Sequence, residues 1–127
     1  MPRHTIHAPA APRAVGPYSH AASGAHGSPL YLSGQTPIDP ETGRLVEGDV
    51  TAQTERVLAN LALVLSSCGR DLADVVKVNV YLTSMQDFAA MNEVYAEVFQ
   101  PPYPARTTVA VAGLPLGARV EIEVVAS

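Results

Sequence analysis

The sequence is poor in cysteine, in aromatic residues and in charge. Its 127 residues include one cysteine, Cys68, and no tryptophan. A lone cysteine excludes a disulfide within the chain and a cysteine-based zinc site, and it is typical of a reducing compartment, so we expect a cytoplasmic protein. Charged residues make up 16% of the chain, against about 25% in an average protein. This shortage indicates that part of the surface is covered by a partner subunit.

Basic residues and long apolar runs are also scarce. Eight Lys and Arg stand against twelve Asp and Glu, a net charge of −4, which argues against a surface that binds nucleic acid. No apolar run is long enough to span a membrane, and prolines interrupt the N-terminal segment, so we expect no membrane association and no secretory signal. The histidines lack the spacing of metal ligands, and we predict no metal site. They are His4, His7, His20 and His26.

The composition that is present favours one folded domain. Apolar residues make up 47% of the chain, too large a share for a disordered protein. A chain of 127 residues fits one hydrophobic core, so we expect a single domain over residues 1–127.

Two segments have the apolar periodicity of helices. The first covers residues 50–68, with Asp49 as its N-cap and a glycine directly after its end. The second covers residues 85–99 and ends before two prolines. Ser84 and Asp87 resemble a capping box at its start.

Alternating and β-branched residues indicate six strands. They cover residues 3–7, 18–25, 29–34, 75–83, 106–112 and 118–126. The last two strands are joined by a short loop over residues 113–117, so the sequence predicts an antiparallel hairpin. In the last strand Val120, Ile122 and Val124 share one face, and Glu121, Glu123 and Val125 share the other.

The order of these elements predicts an α+β fold in which two helices pack on one face of a mixed sheet. We expect the helices to cover the face that is rich in valine and isoleucine. The opposite face then carries small residues and a few charges, namely Arg106, Thr108, Ala110, Ala112, Glu121 and Glu123. Such a face suits a contact between subunits better than open water, which predicts an oligomer whose sheets pack through it.

Arg106 and Glu121 are the strongest candidates for chemistry. The predicted hairpin places them on neighbouring strands and on the same face, diagonal to each other and within reach of an arginine side chain. Two interpretations are open. The pair is an ion pair that fixes the strand register, or Arg106 binds a small carboxylate while Glu121 acts as an acid, a base or a water-holding group. The spacing does not choose between them.

Four further residues are candidates with an ordinary structural alternative. Tyr18 can anchor a loop, Ser33 can form a hydrogen bond at a strand end, and Gly34 marks a turn or a close approach of the backbone. Asn92 can be a solvated or capping amide. No base is placed to activate Ser33, and the glycines do not form a phosphate-binding loop.

Five stretches of the sequence resemble one known family. They are GPYS at 16–19, LSGQTPIDPETG at 32–43, DVVKVNVYLTSMQDFAAMNEVY at 74–95, PARTTV at 104–109 and VEIEVVA at 120–126. PART followed by VEIE is the most specific of these features. On these motifs the chain resembles the reactive-intermediate imine deaminases, also called the Rid or YjgF-like family. The resemblance implies a chorismate-mutase-like α+β fold and a homotrimer with clefts between the subunits.

The resemblance also implies roles for individual residues. Arg106 matches the arginine that binds the substrate carboxylate, and Glu121 matches the glutamate beside the attacking water. The positions that line the cleft are matched by Tyr18, Ser33, Gly34, Asn92 and Thr108, with Tyr18 reaching in from the adjacent subunit. Thr108 stands where many members have a cysteine, so it can contribute only its backbone or its hydroxyl group.

The activity that the resemblance implies is hydrolysis of 2-imino acids, such as 2-iminopropanoate and 2-iminobutanoate, and of the related enamines to 2-keto acids and ammonia. No metal or organic cofactor is needed for this reaction. One alternative is a binding module that holds a 2-keto acid in the same cleft without turnover. Another is an RNA-directed role as a translation inhibitor or endoribonuclease, which the shortage of basic residues disfavours.

Overall fold

The computed structural model of the chain describes residues 2–127 and consists of two helices and a six-stranded mixed sheet. The strands are β1 (His4–Ile6), β2 (Ala21–Ser23), β3 (Leu30–Leu32), β4 (Val75–Leu82), β5 (Ala105–Ala110) and β6 (Val120–Ala126). The helices are α1 (Val50–Ser67) and α2 (Phe88–Val98). Short 3-10 turns cover Leu72–Asp74, Met85–Asp87 and Pro115–Gly117. The expected α+β class is confirmed.

The first helix, α1, forms where its sequence predicts it. The carboxylate of Asp49 accepts a hydrogen bond from the amide of Ala52 at 3.1 Å, as an N-cap should. At the other end Gly69 has a φ of 71°, which lets the chain turn away after the cap residue. No helix within residues 2–127 is long and apolar enough to cross a membrane.

The start of α2 differs from the predicted capping box. The hydroxyl group of Ser84 accepts a hydrogen bond from the amide of Gln86 at 3.1 Å, so Ser84 is a cap as expected. The Asp87 carboxylate forms an ion pair with Arg119 at 2.7 Å instead of closing the box. The ion pair with Arg119 is stronger than a capping hydrogen bond would be, because it joins two opposite charges.

The strand order is β1-β2-β3-β6-β4-β5, and it shows that the predicted hairpin is wrong. The fourth strand, β4, lies between β5 and β6, parallel to β5 and antiparallel to β6. Nine residues, 111–119, connect β5 to β6, enough to pass over the roughly 10 Å that one intervening strand adds. Loop length predicted local pairing, whereas the long alternating strand β4 pairs on both of its edges.

The register also shows that the predicted face of β5 is wrong. Arg106 lies beside Val78, and Thr108 lies beside Val80. Both valines are fully buried, and neighbours across a sheet share a face, so Arg106 and Thr108 lie on the helix-covered face. Glu121 lies beside Tyr81 on the opposite face. The sequence pattern of β5 misled because Val109 of this edge strand is exposed while its arginine turns towards α2.

The face of the sheet away from the helices, here called the open face, carries a polar network. Tyr81 donates a hydrogen bond to the Glu123 carboxylate, which raises the pKa of Tyr81 to about 12, with burial and the charges of Glu123 and Glu121 as smaller causes. The ammonium group of Lys77 donates to the hydroxyl oxygen of Thr107 at 2.8 Å. The open face is therefore polar as expected, but Thr107 and Val109 occupy it in place of Arg106, Thr108 and Ala110.

The core lies under the helices. Its largest fully buried side chains come from α1, α2, β4 and β6, and include Leu58, Leu61, Leu65, Leu82, Met91 and Ile122. In β6 the residues Val120, Ile122 and Val124 are buried, as their alternation with the glutamates predicts. The phase of β6 is thus confirmed, and it directs Glu121 away from the core.

Candidate functional site

All candidate residues except Thr108 line one of two cavities, which lie on opposite faces of the sheet. The acidic cavity, of about 260 Å³, is lined by Val15, Tyr18, Ser33, Gly34, Thr36, Ile38, Pro115, Leu116 and Glu121. The arginine cavity, of about 280 Å³, is lined by Asn92, Tyr95, Ala96, Tyr103, Pro104 and Arg106. Within residues 2–127 no cluster of three or more metal-ligating side chains occurs. Of the two interpretations left open for Arg106 and Glu121, the ion pair within one chain is excluded, because the two side chains leave the sheet on opposite sides.

Glu121 is held over a glycine in the acidic cavity. The amide of Gln35 donates to the carbonyl oxygen of Ile122 at 2.9 Å, and the amide of Ile122 donates back at 3.2 Å. This bridge brings Gly34 under the Glu121 side chain. A Cβ atom at Gly34 would lie 3.0 Å from Cδ of Glu121 and closer still to its Oε2 atom. The position therefore requires glycine for the carboxyl group to occupy this place.

Tyr18 and Ser33 are tied together beside that carboxyl group. The Ser33 hydroxyl group donates to the carbonyl oxygen of Ser19 at 2.6 Å, and the Ser33 amide donates to the carbonyl oxygen of His20 at 3.0 Å. The Tyr18 hydroxyl oxygen accepts a hydrogen bond from the amide of Val15 at 3.3 Å. Ser33 is thus an anchor for the loop that carries Tyr18, in agreement with the structural alternative for Ser33.

The environment of Glu121 favours its protonated form. Burial raises the pKa of the Glu121 carboxyl group above its ordinary value of 4.5, and the negative charge of Glu123 raises it further. A carboxyl group of this kind can exchange a proton with a bound molecule more readily near neutral pH than an exposed glutamate can.

Arg106 is held by three side chains of α2. Its Nη1 group donates a hydrogen bond to Oδ1 of Asn92 at 2.8 Å. The guanidinium carbon lies 4.5 Å from the ring centroid of Tyr95 and 5.6 Å from that of Phe88. Attraction between the cation and these rings fixes the plane of the guanidinium group. Asn92 occupies one of its five N–H donors, so the rest can bind a planar carboxylate.

Two buried hydroxyl groups on the helix-covered face have no hydrogen-bond partner in the described part of the chain. They belong to Tyr95 and Thr108. Burial raises the pKa of Tyr95, and the charge of Arg106 lowers it by a smaller amount. Buried polar groups are normally satisfied, so both hydroxyl groups are available to a bound molecule or to water.

The sequence analysis missed two groups of residues, one around Arg106 and one in the acidic cavity. Phe88 and Tyr95 lie in the predicted second helix, whose apolar periodicity did not mark them as neighbours of Arg106, although Tyr95 follows Asn92 by three positions and therefore shares its face. Val15 and Leu116 lie in loops, where no periodic signal marks a cavity wall. The close approach of backbone predicted for Gly34 is confirmed by its contact with Glu121.

The chain is similar to known proteins over nearly its whole length. A family model described as Endoribonuclease L-PSP matches residues 8–127. The chain belongs to this family, the Rid or YjgF-like family. The expected fold and family are therefore confirmed.

Relatives in the Rid family carry different names. The chain is 48% identical to Protein DfrA of Myxococcus xanthus, over 99% of this chain and 96% of that protein. It is 43% identical to a 2-iminobutanoate/2-iminopropanoate deaminase of Dermatophagoides farinae, over 96% of this chain and 94% of that protein. The second relative is thus named for the deamination of two 2-imino acids.

Solved structures of Rid proteins have the same fold. RidA from an Antarctic Psychrobacter is 46% identical and superposes with a TM-score of 0.91, covering 97% of this chain and 98% of its own. TdcF of E. coli, solved with bound serine, is 36% identical and superposes with a TM-score of 0.90, covering 97% of each chain.

Proposed function

We propose that the chain, a single Rid domain over residues 1–127, is a cytoplasmic homotrimeric hydrolase that converts 2-imino acids and the related enamines to 2-keto acids and ammonia. The observation that carries this proposal is an arginine with free N–H donors in one cavity and a carboxyl group of raised pKa in the other. The named deaminase among the relatives and the serine bound to TdcF support a substrate of amino-acid size.

The first role is substrate binding by Arg106. Its free N–H groups bind the substrate carboxylate in a bidentate manner, while Asn92 and Tyr95 keep the guanidinium plane in place. Thr108 lines neither cavity, but its hydroxyl group is buried without a partner on the same face of β5 as Arg106, and it can donate to a water molecule there. Fixing the carboxylate fixes the neighbouring imino carbon, and this supplies orientation to a reaction that also proceeds slowly in water.

The second role is proton transfer by Glu121. An enamine first takes up a proton at carbon and gives up one from nitrogen, which converts it to the imine. A water molecule then gives a proton to the Glu121 carboxylate as its oxygen bonds to the imino carbon, and the nitrogen takes up a proton from Glu121. The C–N bond of this adduct breaks, the hydroxyl proton passes through Glu121 to the departing nitrogen, and a 2-keto acid and ammonia result.

The two groups act together only if the site is shared between two protomers. In one chain Arg106 and Glu121 lie on opposite faces of the sheet. A cyclic trimer repeats one head-to-tail interface three times, so each interface can join the arginine cavity of one protomer to the acidic cavity of the next. Tyr18, Ser33 and Gly34 then belong to the Glu121 protomer, and Asn92 and Thr108 to the Arg106 protomer.

Complementation between inactive variants tests this proposal. Arg106→Ala and Glu121→Ala chains are each expected to be inactive, with 2-keto acid release measured from imines that an amino acid oxidase generates. If the two chains are unfolded and refolded together, about a quarter of the interfaces carry both intact groups, and about a quarter of the wild-type activity returns.

The outcomes of that experiment are distinct. A wild-type chain that releases no 2-keto acid above the spontaneous rate contradicts the proposed hydrolase. If it nevertheless binds pyruvate through Arg106, it is a binding module. An active wild type whose variants fail to complement contradicts the shared site alone. Each refolded variant assembled by itself is the matched control, since refolding without mixing should restore nothing.

The description of the family model also names an endoribonuclease, and the cavities give that activity little support. Arg106 is the one cationic side chain that lines the arginine cavity, and Glu121 lines the other. Binding of an RNA backbone needs several cations along a groove. RNA cleavage that survives in an Arg106→Ala, Glu121→Ala double variant would identify a separate activity.

A further inference from the structure

The turn that follows β5 holds a leucine in an unfavourable backbone conformation. Leu116 has φ 61° and ψ 14°, and it is the only non-glycine residue with a positive φ in residues 2–127. Glycine or asparagine would adopt this left-handed conformation more easily than leucine does. The turn is fixed by a hydrogen bond from the amide of Gly117 to the carbonyl oxygen of Leu114 at 3.2 Å. The sequence therefore keeps an apolar side chain at a position where the backbone disfavours it.

Burial in the core does not account for this leucine. Leu116 is 63% exposed, and its side chain lines the acidic cavity together with Glu121. Val15, 75% exposed, and Tyr18, 42% exposed, line the same cavity. Three of the eight exposed large hydrophobic side chains in the described chain thus surround one carboxyl group. Concentration of apolar surface around a polar group is typical of a ligand site.

We propose that Leu116 is a specificity-determining residue, which with Val15 contacts the side chain of the substrate and makes the site prefer 2-imino acids with apolar side chains. This inference rests on the proposed function. The reacting carbon carries a carboxylate, a nitrogen and a side chain. When Arg106 holds the carboxylate and Glu121 reaches the nitrogen, the remaining substituent enters the acidic cavity, whose other walls include Ile38 and Pro115.

The unfavourable backbone conformation of Leu116 allows one substitution to change stability and selectivity in opposite directions. Leu116→Asn removes the apolar contact and at the same time suits the left-handed backbone. The variant is expected to melt at a higher temperature than the wild type while losing selectivity. If Leu116 were present only for stability, its replacement by asparagine would lower the melting temperature instead of raising it.

The experiment compares substrates that differ only in the side chain. Amino acid oxidases generate the 2-imino acids of leucine and glutamate, and release of the 2-keto acid gives kcat/KM for each. The wild type is expected to prefer the leucine-derived imine about tenfold or more. Leu116→Asn should bring this ratio close to one. Leu116→Met, which keeps an apolar side chain, is the matched control and should keep the ratio within about twofold of the wild type.

The results that overturn the inference differ from those that overturn the proposed function. If the wild type is inactive on both imines, the proposed function and this inference are both contradicted. An active wild type whose ratio is the same in Leu116→Asn removes the inference and leaves the hydrolase intact. A Leu116→Asn chain whose molar mass in sedimentation falls below that of the wild type assigns Leu116 to subunit contact, and this also overturns the inference.

Discussion

The two cavities hold their charged groups by different means. In the arginine cavity, Arg106 is fixed by one hydrogen bond to Asn92 and by the rings of Tyr95 and Phe88, all from α2. In the acidic cavity, no side chain among residues 2–127 holds Glu121 by a hydrogen bond or an ion pair. Its place depends on the missing side chain of Gly34 and on burial. The comparison shows that contacts with α2 fix the Arg106 side chain in place, whereas burial raises the pKa of Glu121.

Removal of Arg106 should have the largest effect. Arg106→Ala takes away both the charge and the orientation of the substrate carboxylate, and kcat/KM should fall roughly a thousandfold. Arg119→Ala is the matched control, since Arg119 is an arginine whose partner is Asp87. The control should melt at a lower temperature and retain kcat/KM within about twofold. Equal losses of activity in the two variants would contradict a specific role for Arg106.

A methyl group under the acid should have the next largest effect. In Gly34→Ala the new Cβ atom would lie 3.0 Å from Cδ of Glu121, so the carboxyl group must move. A displacement of this size should lower kcat about a hundredfold with a smaller change in KM. Gly24→Ala is the control, because nothing lies within 4 Å of a Cβ atom there. An active Gly34→Ala chain would show that the place of Glu121 over the glycine is not needed.

Loss of the aromatic support for Arg106 should be milder. Tyr95→Leu removes the ring 4.5 Å from the guanidinium carbon, and KM should rise about tenfold while kcat changes less. Tyr95→Phe keeps the ring and should stay within about threefold of the wild type. If Tyr95→Phe is as impaired as Tyr95→Leu, the buried hydroxyl group of Tyr95 is itself a substrate ligand, and the ring has only a minor part.

The smallest effect concerns stability and pH. The pKa of Glu121 is raised in the folded protein, so the folded chain binds this proton more tightly than the unfolded chain does. Stability from this group is present below its ordinary value of 4.5 and is lost as the pH rises through the higher folded value. Glu121→Gln should therefore melt above the wild type at neutral pH and equal to it in acid.

Thermal melts over a pH series measure this difference, with activity as a second readout. Glu123→Gln is the comparison, because it replaces the charged acceptor of the Tyr81 hydrogen bond with a weaker, neutral amide oxygen, and this should destabilise the fold at neutral pH. A constant difference between Glu121→Gln and the wild type at every pH would contradict the role of burial at Glu121.

Much of this protein could be predicted from local sequence patterns. The sequence predicted α1 from its apolar stripe and its cap at Asp49, and it predicted which face of β6 is buried from the alternation of its residues. These predictions succeeded because each depends on residues that are neighbours along the chain. The sequence also indicated that the backbone turns or makes a close approach at Gly34. The α+β class follows from these elements, and the motifs around Arg106 and Glu121 indicated the family.

The tertiary structure alone decided how the two charged groups are related. Strand pairing is not local, so a short loop between β5 and β6 did not reveal that β4 lies between them. The phase of an edge strand is also weakly fixed by its own residues, and an error of one residue moves every side chain to the other face. For this reason the sequence named Arg106 and Glu121, and only the folded sheet placed them on opposite sides.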